Sequence, residues 1–127
     1  MSARYLNVDC ILQSNHSLDE LIAFLDDNIF LLWSESSEAG FRAGIETNLI
    51  NTQSPDQDIS EFLRLFNSLP QHLLQLLIEC EEKVFDIGFE INEEGEAFDT
   101  HLDASTIGDI HRLGFSVSIR IYPLIES

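Results

Sequence analysis

Residues 83–91 read Lys83-Val-Phe-Asp-Ile-Gly-Phe-Glu-Ile91, with Phe85, Ile87, Phe89 and Ile91 on one side of an extended chain and Asp86, Gly88 and Glu90 on the other. Alternation of period two marks a strand with one face buried and one wet. The pattern recurs towards both ends of the chain. Leu6, Val8, Cys10 and Leu12 alternate with Asn7, Asp9 and Gln13 over residues 5–13, with Ile11 the exception. Phe115, Val117, Ile119 and Ile121 alternate with Ser116, Ser118, Arg120 and Tyr122 up to Pro123. Ile29-Phe-Leu-Leu-Trp33 is apolar on both faces, which predicts a central strand, and Ser36-Ser-Glu-Ala-Gly40 turns it into a partner over Phe41–Thr47.

Between these strands the apolar period becomes helical. Ser17 with Glu20 forms the pattern of a capping box, opening a helix to about Asp27 with Leu18, Leu21, Ile22 and Leu25 at helical spacing. Ser54-Pro55 supplies an N-cap and a first-turn proline for a second helix, in which Ile59, Phe62, Leu63 and Phe66 point one way until Leu69-Pro70. A third helix over Pro70–Glu82 turns Leu73, Leu76, Leu77 and Cys80 inward. After a turn at Asn92-Glu-Glu-Gly-Glu96, Asp103 caps a fourth helix that Gly114 ends. Four or five strands with one apolar face, interleaved with amphipathic helices, predict an α+β fold. The architecture is a two-layer sandwich with helices on one face of a mainly antiparallel sheet. No linker, repeat or low-complexity stretch interrupts the 127 residues, so residues 1–127 are expected to form a single globular domain.

The charge constrains partners more than it suggests chemistry. Asp and Glu number 23 against 6 Lys and Arg, a formal net charge of −17, and no single tail holds the excess. Such a field repels nucleic-acid phosphates and anionic lipid and attracts basic proteins, so nucleic acid and membrane are not expected partners. No apolar run is long enough for a signal peptide or a membrane span, which makes the cytoplasm the expected location. Cys10 and Cys80 lie at apolar-face positions and are expected to be buried, reduced and unlinked.

Two surfaces stand out as candidate binding regions. Glu79, Glu81 and Glu82 fall at the carboxyl end of the third helix, where the macrodipole disfavours anions. With Glu93, Glu94 and Glu96 from the following turn they would create a negative end for a basic partner. The second surface is the polar sheet face, expected to carry Asn7, Asp9, Arg42, Glu46, Asp86, Glu90, Ser118, Arg120 and Tyr122. There Arg120 or Arg42 could form a bidentate pair with Asp86, Glu46 or Glu90, although opposite charges paired across strands are also an ordinary finish for an exposed sheet.

Other motifs point away from chemistry. Asp99-Thr-His101-Leu-Asp103 sets two carboxylates and an imidazole along one segment, but they converge only if it bends, and Asp103 is needed as a cap; no metal is expected there. Asn92–Asp99 is acidic without the ligand spacing of a calcium loop. There is no glycine-rich phosphate loop, no GxSxG or HExxH, and no cysteine at a telling distance from a histidine, so no catalytic residue and no cofactor are assigned.

Val84-Phe-Asp-Ile-Gly-Phe-Glu90, Ser54-Pro-Asp56 and Leu113-Gly-Phe-Ser-Val-Ser-Ile-Arg-Ile-Tyr-Pro123 resemble segments of a set of small bacterial proteins of unknown function, scattered over about half of the chain. That resemblance implies no catalytic residues. In acidity, small size and lack of catalytic motifs the chain is also similar to bacterial immunity proteins, cytoplasmic inhibitors of basic toxins, a likeness of physical character and not of motif. The expectation is a non-enzymatic acidic binding module, in its most specific form an immunity-type inhibitor of a basic partner. The alternatives are a structural or self-associating domain, as a homo-oligomer, and then a small hydrolase-like enzyme using the polar sheet face.

Overall fold

The computed structural model describes residues 3–91 and 97–123. Strand β1 (Ala3–Ser14) leads into helix α1 (Asp19–Leu25) and one turn of 3-10 helix (Asp26–Asn28), followed by the hairpin β2 (Ile29–Ser37) and β3 (Gly40–Thr47). Helices α2 (Pro55–Asn67) and α3 (Gln71–Ile78) precede β4 (Glu82–Ile91), and α4 (Ala104–Leu113) precedes β5 (Ser116–Pro123). The five strands form one sheet in the order β2-β3-β1-β4-β5. All neighbours are antiparallel except β4 and β5, which run parallel with α4 between them in the chain. The chain is thus an α+β two-layer sandwich with its helices on one face of a mostly antiparallel sheet.

Local chemistry accounts for most of these elements. Ser54 Oγ accepts from Gln57 N at 3.3 Å, capping α2 where Pro55 begins it. Ile59, Phe62, Leu63 and Phe66 then face the sheet, where Phe62 meets Phe85 at 5.6 Å and Phe66 meets Phe115 at 5.6 Å between ring centroids. Phe115 in turn stacks on Phe85 at 4.3 Å, so the core is closed by aromatic rings from α2, β4 and the approach to β5. Gly114 ends α4 with φ of 77°, the left-handed conformation that favours glycine. Gly40 closes the hairpin with φ of 116°; a Cβ there would stand 2.6 Å from the Ser14 carbonyl oxygen.

The structure corrects several expectations. Ser17 does not form a capping box: Leu18 occupies the cap position, and Ser17 Oγ accepts from Asp19 N at 3.2 Å. Helix α3 ends at Ile78, so Glu81 and Glu82 lie beyond it, and Glu82 starts β4. A bulge between Tyr5 and Asn7 shifts the register of β1 against β4. Consequently Tyr5, not Leu6, shares the helix-side face with its partner Phe89, and Val8, Cys10, Leu12 and Ser14 continue that row. Ile29–Trp33 belongs to an edge strand and not to a central one, because β3 pairs with β2 on one side and β1 on the other, leaving β2 a single neighbour. Its apolar residues divide between the two faces at a second bulge, between Leu31 and Trp33. Finally, Val117, Ile119 and Ile121 lie on the helix side, opposite Phe85, Ile87 and Phe89, yet are exposed because the helix layer stops short of β5.

Candidate functional site

The helix-free face of the sheet gathers the polar residues that alternation assigned to it. Asp9 on β1 is directly opposite Asp86 on β4. One step beyond the pair Cys10 and Ile45, β3 brings Glu46 beside Asp9, and the Asn7 amide bridges the two, Nδ2 donating to Asp9 Oδ1 and to Glu46 Oε2 at 3.1 Å each. On the other side of Asp86, Ser118 Oγ donates at 2.8 Å and the Arg120 guanidinium stands 3.7 Å away. Three carboxylates thus meet at the middle strands, and like charges opposed across strands repel. Burial, then hydrogen bonding to Glu46, then the charges of Glu46 and Asp86 push the Asp9 carboxyl up to about 6, with Arg120 pulling the other way.

Around this centre the face carries a rim of mixed chemistry. Arg4 pairs with Glu90 at 3.4 Å, and Arg42 with Glu35 at 3.3 Å. Arg42 also lies 5.4 Å over the Trp33 ring, which itself packs onto Gly44 so closely that a Cβ there would be 2.6 Å from it. None of these arginines makes the two-bond fork expected with a carboxylate on this face; the fork occurs on α2, between Arg64 and Glu61 at 2.6 and 2.9 Å. Glu82 joins the face too, opposite Gln13.

Sequence reasoning passed over a buried carboxylate on the helix side of the sheet, behind this surface. Asp58, in the first turn of α2, is only 5% exposed. It accepts from Thr47 Oγ1 at 2.7 Å, from Thr52 Oγ1 at 2.8 Å, and from the Tyr5 hydroxyl. Burial first, and then that carboxylate, hold the Tyr5 phenol far above its ordinary range, so it remains a donor. A cavity of about 230 Å³ lies above the cluster, lined by Asn7, Glu46, Thr47, Asn51, Thr52 and Asp58 together with Leu6, Val8 and Leu49. The available signal was the helical stripe itself: Pro55, Asp58, Ile59 and Phe62 fall on one side of α2, placing a carboxylate among residues that must be buried. Its hydroxyl partners come from three other segments, and nothing in their spacing reveals them.

The acidic corner fares differently. Of Glu79, Glu81 and Glu82, only Glu79 stands at the end of α3, where it accepts from Gln75 Nε2 at 2.6 Å; Glu81 accepts from Asn15 Nδ2 at 2.7 Å. Lys83 Nζ donates to the Ile78 carbonyl at 2.9 Å, supplying the cation that the helix end favours. Glu93, Glu94 and Glu96 lie outside the described residues. Asp103 occupies the cap position of α4 but, contrary to expectation, its side chain makes no cap hydrogen bond; its Oδ1 stands 3.2 Å from His101 Nε2 at an exposed position, and among the described residues no three His, Cys, Asp or Glu side chains are grouped to hold a metal. Cys10 and Cys80 are buried and free. No helix among the described residues is long and apolar enough to cross a membrane.

Comparison with known proteins finds no matching protein family, no matching curated protein and no matching solved structure.

Proposed function

We propose that this chain is a non-enzymatic binding module whose open sheet face takes a basic partner protein, an immunity-type inhibitor being the most specific form of that reading. The observation that carries it is the group Asp9, Glu46 and Asp86 brought together on neighbouring strands, where burial first, and then Glu46 and Asp86, lift Asp9 to about 6. Folding gains nothing from opposing these carboxylates, whereas a lysine or arginine set among them would relieve their repulsion and add charge-assisted hydrogen bonds. The face has the breadth of a protein contact, with Trp33 and Phe30 on β2 and Tyr122 on β5 as exposed aromatic groups beside the charges. A bacterial, cytoplasmic setting is part of the proposal and rests on the resemblance carried by residues 84–90 and 113–123.

The test is an NMR titration with an arginine-rich peptide, reading backbone amides and the Asp9 carboxyl carbon. Shifts should centre on Asp9, Glu46 and Asp86, and the Asp9 pKa should fall from about 6 towards the ordinary carboxylate range as the cation docks. Combining D9N, E46Q and D86N should abolish those shifts; E79Q with E81Q should leave them. Shifts spread evenly over all the acids, or centred on Glu79 and Glu81, would remove the sheet face as the site.

A further inference from the structure

Strand β5 is open along its outer edge and on one face. It ends the sheet, so among the described residues no strand pairs with its outer edge. Val117, Ile119 and Ile121 are 40%, 65% and 56% exposed, although their partners Phe85, Ile87 and Phe89 are buried. The devices that usually blunt such an edge are missing. The register with β4 runs unbroken from Ser116 to Pro123, no lysine interrupts the strand, no charge points to its helix side, and proline comes only at its end. The opposite edge also exposes Phe30, Leu31 and Leu32, but it is broken: β2 is bulged between Leu31 and Trp33, carries Glu35 paired with Arg42, and folds Trp33 onto Gly44.

Charge selects the occupant. Asp9 lies on β1, Glu35 on β2, Glu46 on β3, and Glu82, Asp86 and Glu90 on β4, but β5 carries no carboxylate at all. In a chain of net charge −17 this is the strand least repelled by a second copy, and it holds out no anion to a basic partner. We propose that β5 is a homodimer interface, two copies pairing antiparallel about a two-fold axis at Ile119 and continuing the sheet from one subunit into the next. In that register Ile119 meets Ile119 of the partner subunit, Val117 meets Ile121 of the partner subunit, and Ser118 meets Arg120 of the partner subunit. A shift of two residues would set Arg120 against Arg120 of the partner subunit, which like charge opposes. The two-fold axis keeps both helix layers on one side, so the exposed rows from the two strands come side by side into one continuous apolar strip between those layers.

Sedimentation equilibrium of the full chain should give a concentration-dependent mass approaching twice 14.4 kDa. I119K places a charge at the axis of the pair, on a side chain too exposed to disturb the subunit, and should weaken the dimer roughly 100-fold with an unchanged circular dichroism spectrum. I119C treated with copper phenanthroline should form an inter-chain disulfide, since residues opposed across strands lie within its reach, whereas L32C on β2 should not. The proposal is overturned if the wild type is a monomer at every concentration reached, which would assign the edge to a different protein. A dimer indifferent to I119K, or one that L32C crosslinks and I119C does not, overturns it equally.

Discussion

Asp58 and Asp9 are both carboxylates near the sheet, and their surroundings give them opposite roles. Asp58 is met by donors on three sides, so removing it strands the hydroxyls of Tyr5, Thr47 and Thr52. D58A should therefore cost about 3 kcal/mol or more in denaturant melts, and Y5F about 1.5–3, as for a hydrogen bond to a charged group. A D58A protein as stable as the wild type would show that the cluster does not brace α2 against β1 and β3. Asp9 is instead half-buried with acids for neighbours, and burial first, then those acids, push its carboxyl up from 3.8 to about 6. A folded pKa above the unfolded value means that the folded chain holds the proton more tightly. Its contribution to stability is fully present below about pH 4 and is lost as pH rises through about 6. Asp9 is half-buried, so solvent screening reduces the effect to about 1 kcal/mol. The difference in stability between wild type and D9N should change by that amount between pH 4 and pH 7; a difference flat in pH would mean that Asp9 titrates normally.

Among the elements, the contrast between β4 and β5 is the sharpest. Both alternate apolar and polar residues, and alternation alone predicts that truncating Phe89 or Ile119 costs alike. Phe89 lies buried under the helices while Ile119 is mostly exposed, so F89A should cost about 3–5 kcal/mol and I119A, in dilute protein, less than about 1. Comparable losses at the two positions would mean that helices reach β5 after all. The hairpin allows a separate check, because Gly44 is where β3 makes room for the ring of Trp33, the single tryptophan. G44A should displace that ring, shift its fluorescence to the red and cost about 1–3 kcal/mol. Unchanged fluorescence would place Trp33 elsewhere. Helix starts likewise separate by geometry: Ser54 caps α2, whereas Ser17 stands one residue before the cap position of α1 and accepts only from Asp19 N, so S54A should cost about 1 kcal/mol and S17A less.

At the scale of the whole molecule, burial raises the thiol of Cys10 well above its ordinary range and that of Cys80 to about 11, so both should react with thiol reagents only when the fold opens. Rapid labelling of either in native protein would contradict the packing around β1 and β4. The acidic field predicts that association with a basic partner slows about tenfold or more as salt rises towards physiological strength. That dependence should weaken most on neutralising the sheet-face carboxylates, and little on changing Glu79 and Glu81. Periodicity by itself determined the α+β class, the hairpin, the helix-free placement of Asp9, Arg42, Glu46, Asp86, Glu90 and Arg120, and the cap at Ser54, because each follows from residues close in sequence. Where an element sits in the sheet follows from pairing across distant segments, which no local period records. Tertiary structure alone therefore decided that Ile29–Trp33 is an edge, that the bulge seats Tyr5 and not Leu6 on the helix side, that three remote hydroxyls surround Asp58, and that none of the helices among the described residues covers the apolar row of β5.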